Sequence, residues 1–166
     1  MVLSPWWRKL LLLLHMLSSL GFVGGVAGFL ALAIVGLEAS NEALVRGVYL
    51  SMGIVNWTVI VPLATASIVI GVTQALLTPW RLFRHYWVII KLVLTLFAYA
   101  ILLIRTSTVN ELVAAALSGS MAAGTESGKV TLLVHSAGGL GVLLVITILS
   151  VYKPRGVTGV GNRSVA

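Results

Sequence analysis

Residues 78–91 read TPWRLFRHYWVIIK, and this stretch decides the fold. It joins two long apolar runs and combines tryptophan, tyrosine, arginine, histidine and lysine with a helix-breaking proline. Tryptophan and tyrosine settle at the depth of lipid head groups, and arginine and lysine accumulate on the cytoplasmic face of a membrane. The stretch therefore predicts a membrane boundary, its cytoplasmic side and the start of a helix.

The composition around this stretch excludes an ordinary soluble domain. The chain has 166 residues, of which 59% are hydrophobic and 9% charged. Because about 20 apolar residues cross a bilayer, this length holds four spans and no sizeable domain outside the lipid. We expect one all-α domain, an antiparallel four-helix transmembrane bundle in the inner (plasma) membrane. The net charge of +7 is divided among positions that flank the spans, so we expect no nucleic-acid partner.

The apolar runs predict spans over about residues 10–37, 47–77, 86–104 and 130–151, whose bounds follow the surrounding polar residues. The first run is too long for a removable signal peptide and is taken as a retained span. Pro62 predicts a kink within the second span. In the third connection, Thr108 and Glu111 match a capping box, which predicts a short surface helix over about 109–117.

The basic residues predict the orientation of the spans. The head, the second connection and the tail carry basic residues and no acidic one: Arg8, Lys9, Arg81, Arg84, Lys153, Arg155 and Arg163. The other two connections carry three basic residues, Arg46, Arg105 and Lys129, together with all four acidic residues: Glu38, Glu42, Glu111 and Glu126. Since lysine and arginine are concentrated on the cytoplasmic side, both termini are expected in the cytoplasm.

Missing residue types exclude several kinds of chemistry. The chain has no cysteine, which removes thiolate metal sites, iron-sulfur ligation and thioether-linked haem. It has no aspartate, so a Ser-His-Asp triad cannot be built, and no glutamate lies within a predicted span. These absences disfavour hydrolysis and carboxylate-based proton pumping, and they favour a protein that is not an enzyme.

Histidine depth points to a cofactor site on the cytoplasmic side. His15 lies about 9 Å beyond Lys9 along a helix, and His85 lies at the cytoplasmic boundary, so the two side chains could meet. Such a pair suits axial ligation of haem b, with Arg84 or Lys91 pairing with the propionates. The alternative is that both histidines are interfacial residues with hydrated tips.

His135 enters from the opposite side, about 9 Å past Lys129, and cannot share one metal ion with His15. It could bind copper together with Met52 or Met121 and an external glutamate. The alternative is a hydrogen bond across helices, for example to Asn56 or Tyr49.

Lys91, Thr95 and Tyr99 recur at every fourth position, and this face is expected to point into the bundle. Lys91 has no acidic residue on its side of the membrane. Its expected partners are water, backbone, a lipid phosphate or a bound anion. The alternative is that its side chain extends to the cytoplasmic head groups.

Four segments resemble uncharacterised bacterial integral membrane proteins that share a domain of unknown function. They are residues 15–25 (HMLSSLGFVGG), residues 78–91, residues 134–139 (VHSAGG) and residues 151–156 (VYKPRG). More distantly, the first histidine with its downstream Gly-Gly pair, and the Thr-Pro-aromatic segment before Lys91, resemble the membrane domain of the copper-resistance protein CopD. That domain is similar in layout to four-helix b-type cytochromes. The resemblance implies a bundle with metal- or haem-binding histidines at His15, His85 and His135.

These observations lead to three functional hypotheses. The first is a small membrane protein that binds haem b or a metal through the three histidines, in electron transfer or copper handling. The second is a non-catalytic assembly subunit that docks other membrane subunits or a second copy through its glycine pairs, Gly21 with Gly25 and Gly24 with Gly28. The third is a small transporter, with Pro62 as a hinge and a path lined by Asn56 and Gln74.

Overall fold

Four long helices make up the protein in a computed structural model that describes residues 4–77, 86–119 and 126–152. They are α1 (Pro5–Glu38), α2 (Glu42–Leu77), α3 (Tyr86–Ser118) and α4 (Glu126–Tyr152). Each is long and apolar enough to cross a membrane, and the described residues contain no strand. The prediction of an all-helical protein with four helices that are long and apolar enough to span a membrane is confirmed for the described residues.

The helix ends follow ordinary capping chemistry. α1 begins at Pro5, where a missing backbone N–H costs nothing. At the start of α2, the backbone N–H of Leu44 donates to the Asn41 side chain at 3.0 Å. α3 ends before Gly119, which has a φ of 71° and so takes a backbone conformation that favours glycine.

α3 differs from the expectation of a separate surface helix over 109–117. The structure continues α3 without a break through these residues to Ser118. The hydroxyl groups of Thr106 and Ser107 donate to the carbonyls of Leu102 and Ile104 in the preceding turn, so they are satisfied inside the helix. No glycine or proline lies between residues 86 and 118, and nothing interrupts the helix at its predicted end.

A π-helical turn, Asn56–Ile60, interrupts α2 just before Pro62. The N–H of Val61 donates to the carbonyl of Asn56, five residues back instead of four. Because proline has no N–H, a carbonyl in the preceding turn loses its usual hydrogen-bond partner. The wider π-helical turn lies in this same preceding segment of α2. The structure therefore places the irregularity of α2 next to the proline that predicted one.

The helices contact one another in the order α1, α2, α3, α4 and back to α1. Glycines mark the closest approaches of α1 and α2. A Cβ added at Gly36 would lie 2.9 Å from the Tyr49 side chain, and one added at Gly25 would lie 3.2 Å from Ile60. Small residues let helices approach in lipid, where no hydrophobic force drives them together.

Burial is concentrated at one end of the bundle. We call it the Glu38 end, after the last residue of α1, and we call the opposite end the Pro5 end, after the first residue of α1. Ala33, Tyr49, Met52, Leu112 and Ala116 are all 2% exposed or less and lie toward the Glu38 end. In α3, Val88 is the one buried residue before Thr106. The Glu38 end is therefore tightly packed, and the Pro5 half of α3 presents mostly apolar surface to lipid.

Candidate functional site

His15 lies in the Pro5 half of α1 and packs directly against α2. A Cβ added at Gly71 would lie 2.8 Å from Cε1 of the imidazole, so a larger residue there would force the ring to move. The Nδ1 atom of His15 is buried and has no hydrogen-bond partner among the described residues. One turn further, the hydroxyl groups of Ser19 and Ser67 bond to each other at 2.7 Å. The His15 ring is thus held between two helices with one nitrogen unsatisfied.

Lys91 lies on the same half of the bundle and faces α4. Its ammonium donates to the Ser150 hydroxyl at 3.3 Å and lies 6.0 Å from the centre of the Trp87 ring. Further along α3, the Tyr99 hydroxyl bonds to Thr65 of α2 at 2.8 Å. The face predicted to point into the bundle therefore contacts two neighbouring helices.

The second predicted haem ligand, His85, and the predicted propionate partner Arg84 lie outside the described residues. Of the four residues predicted for the haem site, the structure describes two, His15 and Lys91.

A cavity of about 280 Å³ lies between all four helices, closer to the Glu38 end. Most of its lining is apolar and comes from the phenylalanines of α1, the middle of α3 and the glycines of α4. Four polar side chains from three helices join this lining: Asn56, Arg105, Ser136 and His135. Gln74, proposed with Asn56 for a transport path, is not among the lining residues. Ligand pockets typically have volumes of about 300–1,000 Å³, so this cavity has the size of a small binding site.

Arg105 is the charged residue on the cavity wall. Its Nε atom is buried and has no hydrogen-bond partner among the described residues. The four acidic residues of the chain all lie in the described part, and the ion pair found there joins Glu126 to Lys129. Arg105 therefore faces a largely apolar cavity without a carboxylate partner.

His135 keeps a free ring nitrogen. Its Nδ1 lies 2.7 Å from the carbonyl oxygen of Thr131, one turn back in α4. A carbonyl can only accept, so Nδ1 carries the proton, and in the neutral ring Nε2 has a free lone pair. The alternative bond to Asn56 or Tyr49 is not formed: Asn56 instead donates to the Thr106 hydroxyl at 3.5 Å.

The residues proposed to bind copper with His135 do not gather around it. Met52 is buried in the core and does not line the cavity, and Glu126 is paired with Lys129. Met121 lies outside the described residues. Within residues 4–77, 86–119 and 126–152, no three side chains of His, Cys, Asp or Glu come together as metal ligands do. Around His135, the described residues supply one imidazole nitrogen.

The two described histidines lie at different depths, as their sequence positions predict. Gly71, which packs against His15, follows Asn56, which lines the cavity together with His135, by 15 residues, or about 22 Å along a helix. His15 and His135 therefore belong to separate sites.

Sequence reasoning treated Arg105 only as a charge that reports orientation, and it missed the Ser19–Ser67 bond. The absence of glycine and proline between residues 86 and 118 was the signal that α3 continues past Arg105 and that this arginine lies within a helix. Comparisons with protein-family models, with curated proteins and with solved structures found no match to this chain.

Proposed function

We propose that this chain is an inner-membrane protein whose helices form an antiparallel bundle with both termini in the cytoplasm. Contacts of Gly36 with Tyr49 and of His15 with Gly71 support this arrangement, because residue numbers rise along α1 as they fall along α2. The basic connections belong to the Pro5 end and the acidic residues to the Glu38 end, so the Pro5 end would face the cytoplasm.

We further propose that the bundle binds haem b or a metal ion through histidine, for electron transfer or copper handling. The observation that supports this best is the buried, unpartnered Nδ1 atom of His15. Leaving such an atom unsatisfied costs about 1–3 kcal/mol, and ligation to a metal would remove that cost. His15 and His85 would hold a haem, which supplies one-electron chemistry. Lys91 and Arg84 would balance the propionate charge, and His135 would be a separate outer-side ligand.

The experiment is a visible absorption spectrum of protein purified from haem-replete cells, before and after dithionite, together with its metal content. The variants are His15→Ala and His85→Ala, with His135→Ala as the matched control at another depth. We expect a Soret band and sharpened reduced bands in the wild type and in His135→Ala, and their loss in the first two variants. Unchanged haem and metal content in His15→Ala and His85→Ala would refute the proposal.

A second candidate is a non-catalytic assembly subunit, and open glycine surfaces favour it. Gly24 and Gly28 of α1, and Gly138 and Gly141 of α4, have nothing within 4 Å of an added Cβ. Gly21 and Gly25 already pack against α2, so of the two predicted pairs only Gly24 and Gly28 is open to another helix.

For this candidate, the protein is extracted in mild detergent and the stoichiometry of any complex is measured. Replacing Gly24 and Gly28 together by leucine should dissociate a partner or a second copy, whereas Gly47→Leu, also at an open position, should not. Monodisperse, partner-free protein from the wild type would count against this role.

A further inference from the structure

The cavity opens toward the lipid through its lining residues. Phe97 of α3 and Val134 of α4 both line it and are both 59% exposed, which on a membrane helix means exposed to lipid. Gly138, also in the lining, is exposed beside Val134. A molecule dissolved in the bilayer could therefore enter between α3 and α4 without crossing the protein.

The polar and apolar parts of the cavity are arranged by depth. Arg105 lies 19 residues after Tyr86, or about 28 Å along α3, which is close to the thickness of the hydrocarbon core. Phe97 and Ile101 lie one to two turns closer to the bilayer centre and line the same cavity. The arginine is thus near head-group depth, and the apolar lining is at the depth of acyl chains.

The charge of the cavity selects the head group. Arg105 contributes a permanent positive charge, and no acidic residue of the described part lines the cavity. The Nε atom of Arg105 is buried without a hydrogen-bond partner among the described residues, and a partly buried charge is stabilised by an anionic partner. Guanidinium groups bind carboxylates and phosphates with charge-assisted hydrogen bonds. A neutral ligand would leave the charge uncompensated.

We propose that this cavity binds one acyl-chain lipid whose anionic head group, a carboxylate or a phosphate, pairs with Arg105. The first methylene groups of the chain fill the apolar space between Phe22, Ile101 and Gly139, and the remainder leaves past Phe97 into the bilayer. This site is separate from His15 and does not depend on haem or metal binding.

The test is binding to the purified full-length protein, measured with palmitate against hexadecanol, its neutral equivalent of the same chain length. In parallel, native mass spectrometry compares phosphatidylglycerol with phosphatidylcholine of identical acyl chains, which separates a fatty acid from a phospholipid as the source of the anion. We expect one molecule of an anionic probe per chain, bound at least about tenfold more tightly than its neutral equivalent. That ratio corresponds to about 1.4 kcal/mol.

Arg105→Gln should reduce binding of the anionic probe about tenfold or more and remove the preference for an anionic head. Arg46→Gln is the matched control, because Arg46 is exposed at the Glu38 end and does not line the cavity. It should bind like the wild type. Equal binding of palmitate and hexadecanol, and of the two phospholipids, or an unchanged affinity in Arg105→Gln, would overturn the proposal.

A second pair of variants leaves the arginine in place, in case Arg105→Gln does not fold. Gly139 lines the cavity and Gly141 does not, and an added Cβ at either position meets nothing within 4 Å. Gly139→Leu should therefore fill the cavity and abolish binding of both probes, while Gly141→Leu on the same helix retains it. Full binding in Gly139→Leu would show that the lipid does not occupy this cavity.

Discussion

Replacing Gly53 by alanine tests the packing between α2 and α3. Gly53 is buried, and a Cβ added there would lie 2.6 Å from Cγ2 of Val113. Valine has one strongly preferred rotamer in a helix, so this methyl group cannot rotate away. The backbones of the two helices would have to separate at the tightly packed Glu38 end.

Two opposing terms determine the size of the effect. Overpacking a well-packed core costs about 1–3 kcal/mol, whereas alanine is better than glycine in a helix by about 1 kcal/mol. Gly47→Ala, six residues earlier, meets nothing within 4 Å and should keep the favourable term alone. The two variants should therefore differ in free energy of unfolding by about 1–3 kcal/mol, with Gly53→Ala the less stable.

Gly21→Ala provides an intermediate case. Its added Cβ would lie 2.8 Å from Cδ1 of Leu63, a terminal methyl group that a rotamer change can move. The measurement is the denaturant midpoint of all three variants in one detergent, followed by far-UV circular dichroism. The expected order of stability is Gly47→Ala, then Gly21→Ala, then Gly53→Ala. If Gly53→Ala were as stable as Gly47→Ala, the Val113 side chain would have to lie farther from Gly53 than the added-Cβ distance of 2.6 Å indicates.

Two further substitutions test weaker interactions. The first is a double-mutant cycle of Tyr99→Phe and Thr65→Val, whose side chains share a hydrogen bond of 2.8 Å between α3 and α2. The coupling free energy should be about 0.6 kcal/mol, the average for interhelical hydrogen bonds in a membrane protein. A value near zero would show that this bond does not contribute to stability. Glu126→Gln should change the unfolding free energy by less than about 1 kcal/mol, because the Glu126 side chain is 56% exposed and the glutamine oxygen can still accept a hydrogen bond from Lys129, whose side chain is 11% exposed. A larger loss, measured by the same denaturant titration, would contradict this.

The helices could be predicted because lipid leaves few alternatives. A backbone that crosses a bilayer must satisfy its own hydrogen bonds, so each long apolar run must be helical. Pro62 also acted as local rules predict, since a proline affects only its own turn of the helix. The separate surface helix was not found, because the Thr108–Glu111 pattern is local. It takes no account of the Trp57 ring nitrogen, which donates to Asn110 at 3.1 Å from another helix.

The candidate sites depended on contacts between side chains of different helices, which lie far apart in the sequence. The depth of His135 followed from counting residues, but its hydrogen-bond partner did not, because a carbonyl in the same helix competed with side chains on other helices. The cavity arises where the phenylalanines of α1 meet the glycines of α4, which are more than 100 residues apart. Arg105 became a candidate only when the structure showed it on this cavity wall.

The π-helical turn in α2 has a consequence for the evolution of the chain. One residue rotates an α-helix by about 100°, so the extra residue between Asn56 and Ile60 sets which side chains of the following segment face α1. A homologue without it would have a regular helix one residue shorter, and Ser67 and Gly71 would match positions displaced by one. Alignments of such homologues require a gap at this turn, and a gap placed elsewhere would assign lipid-facing residues to the bundle interior.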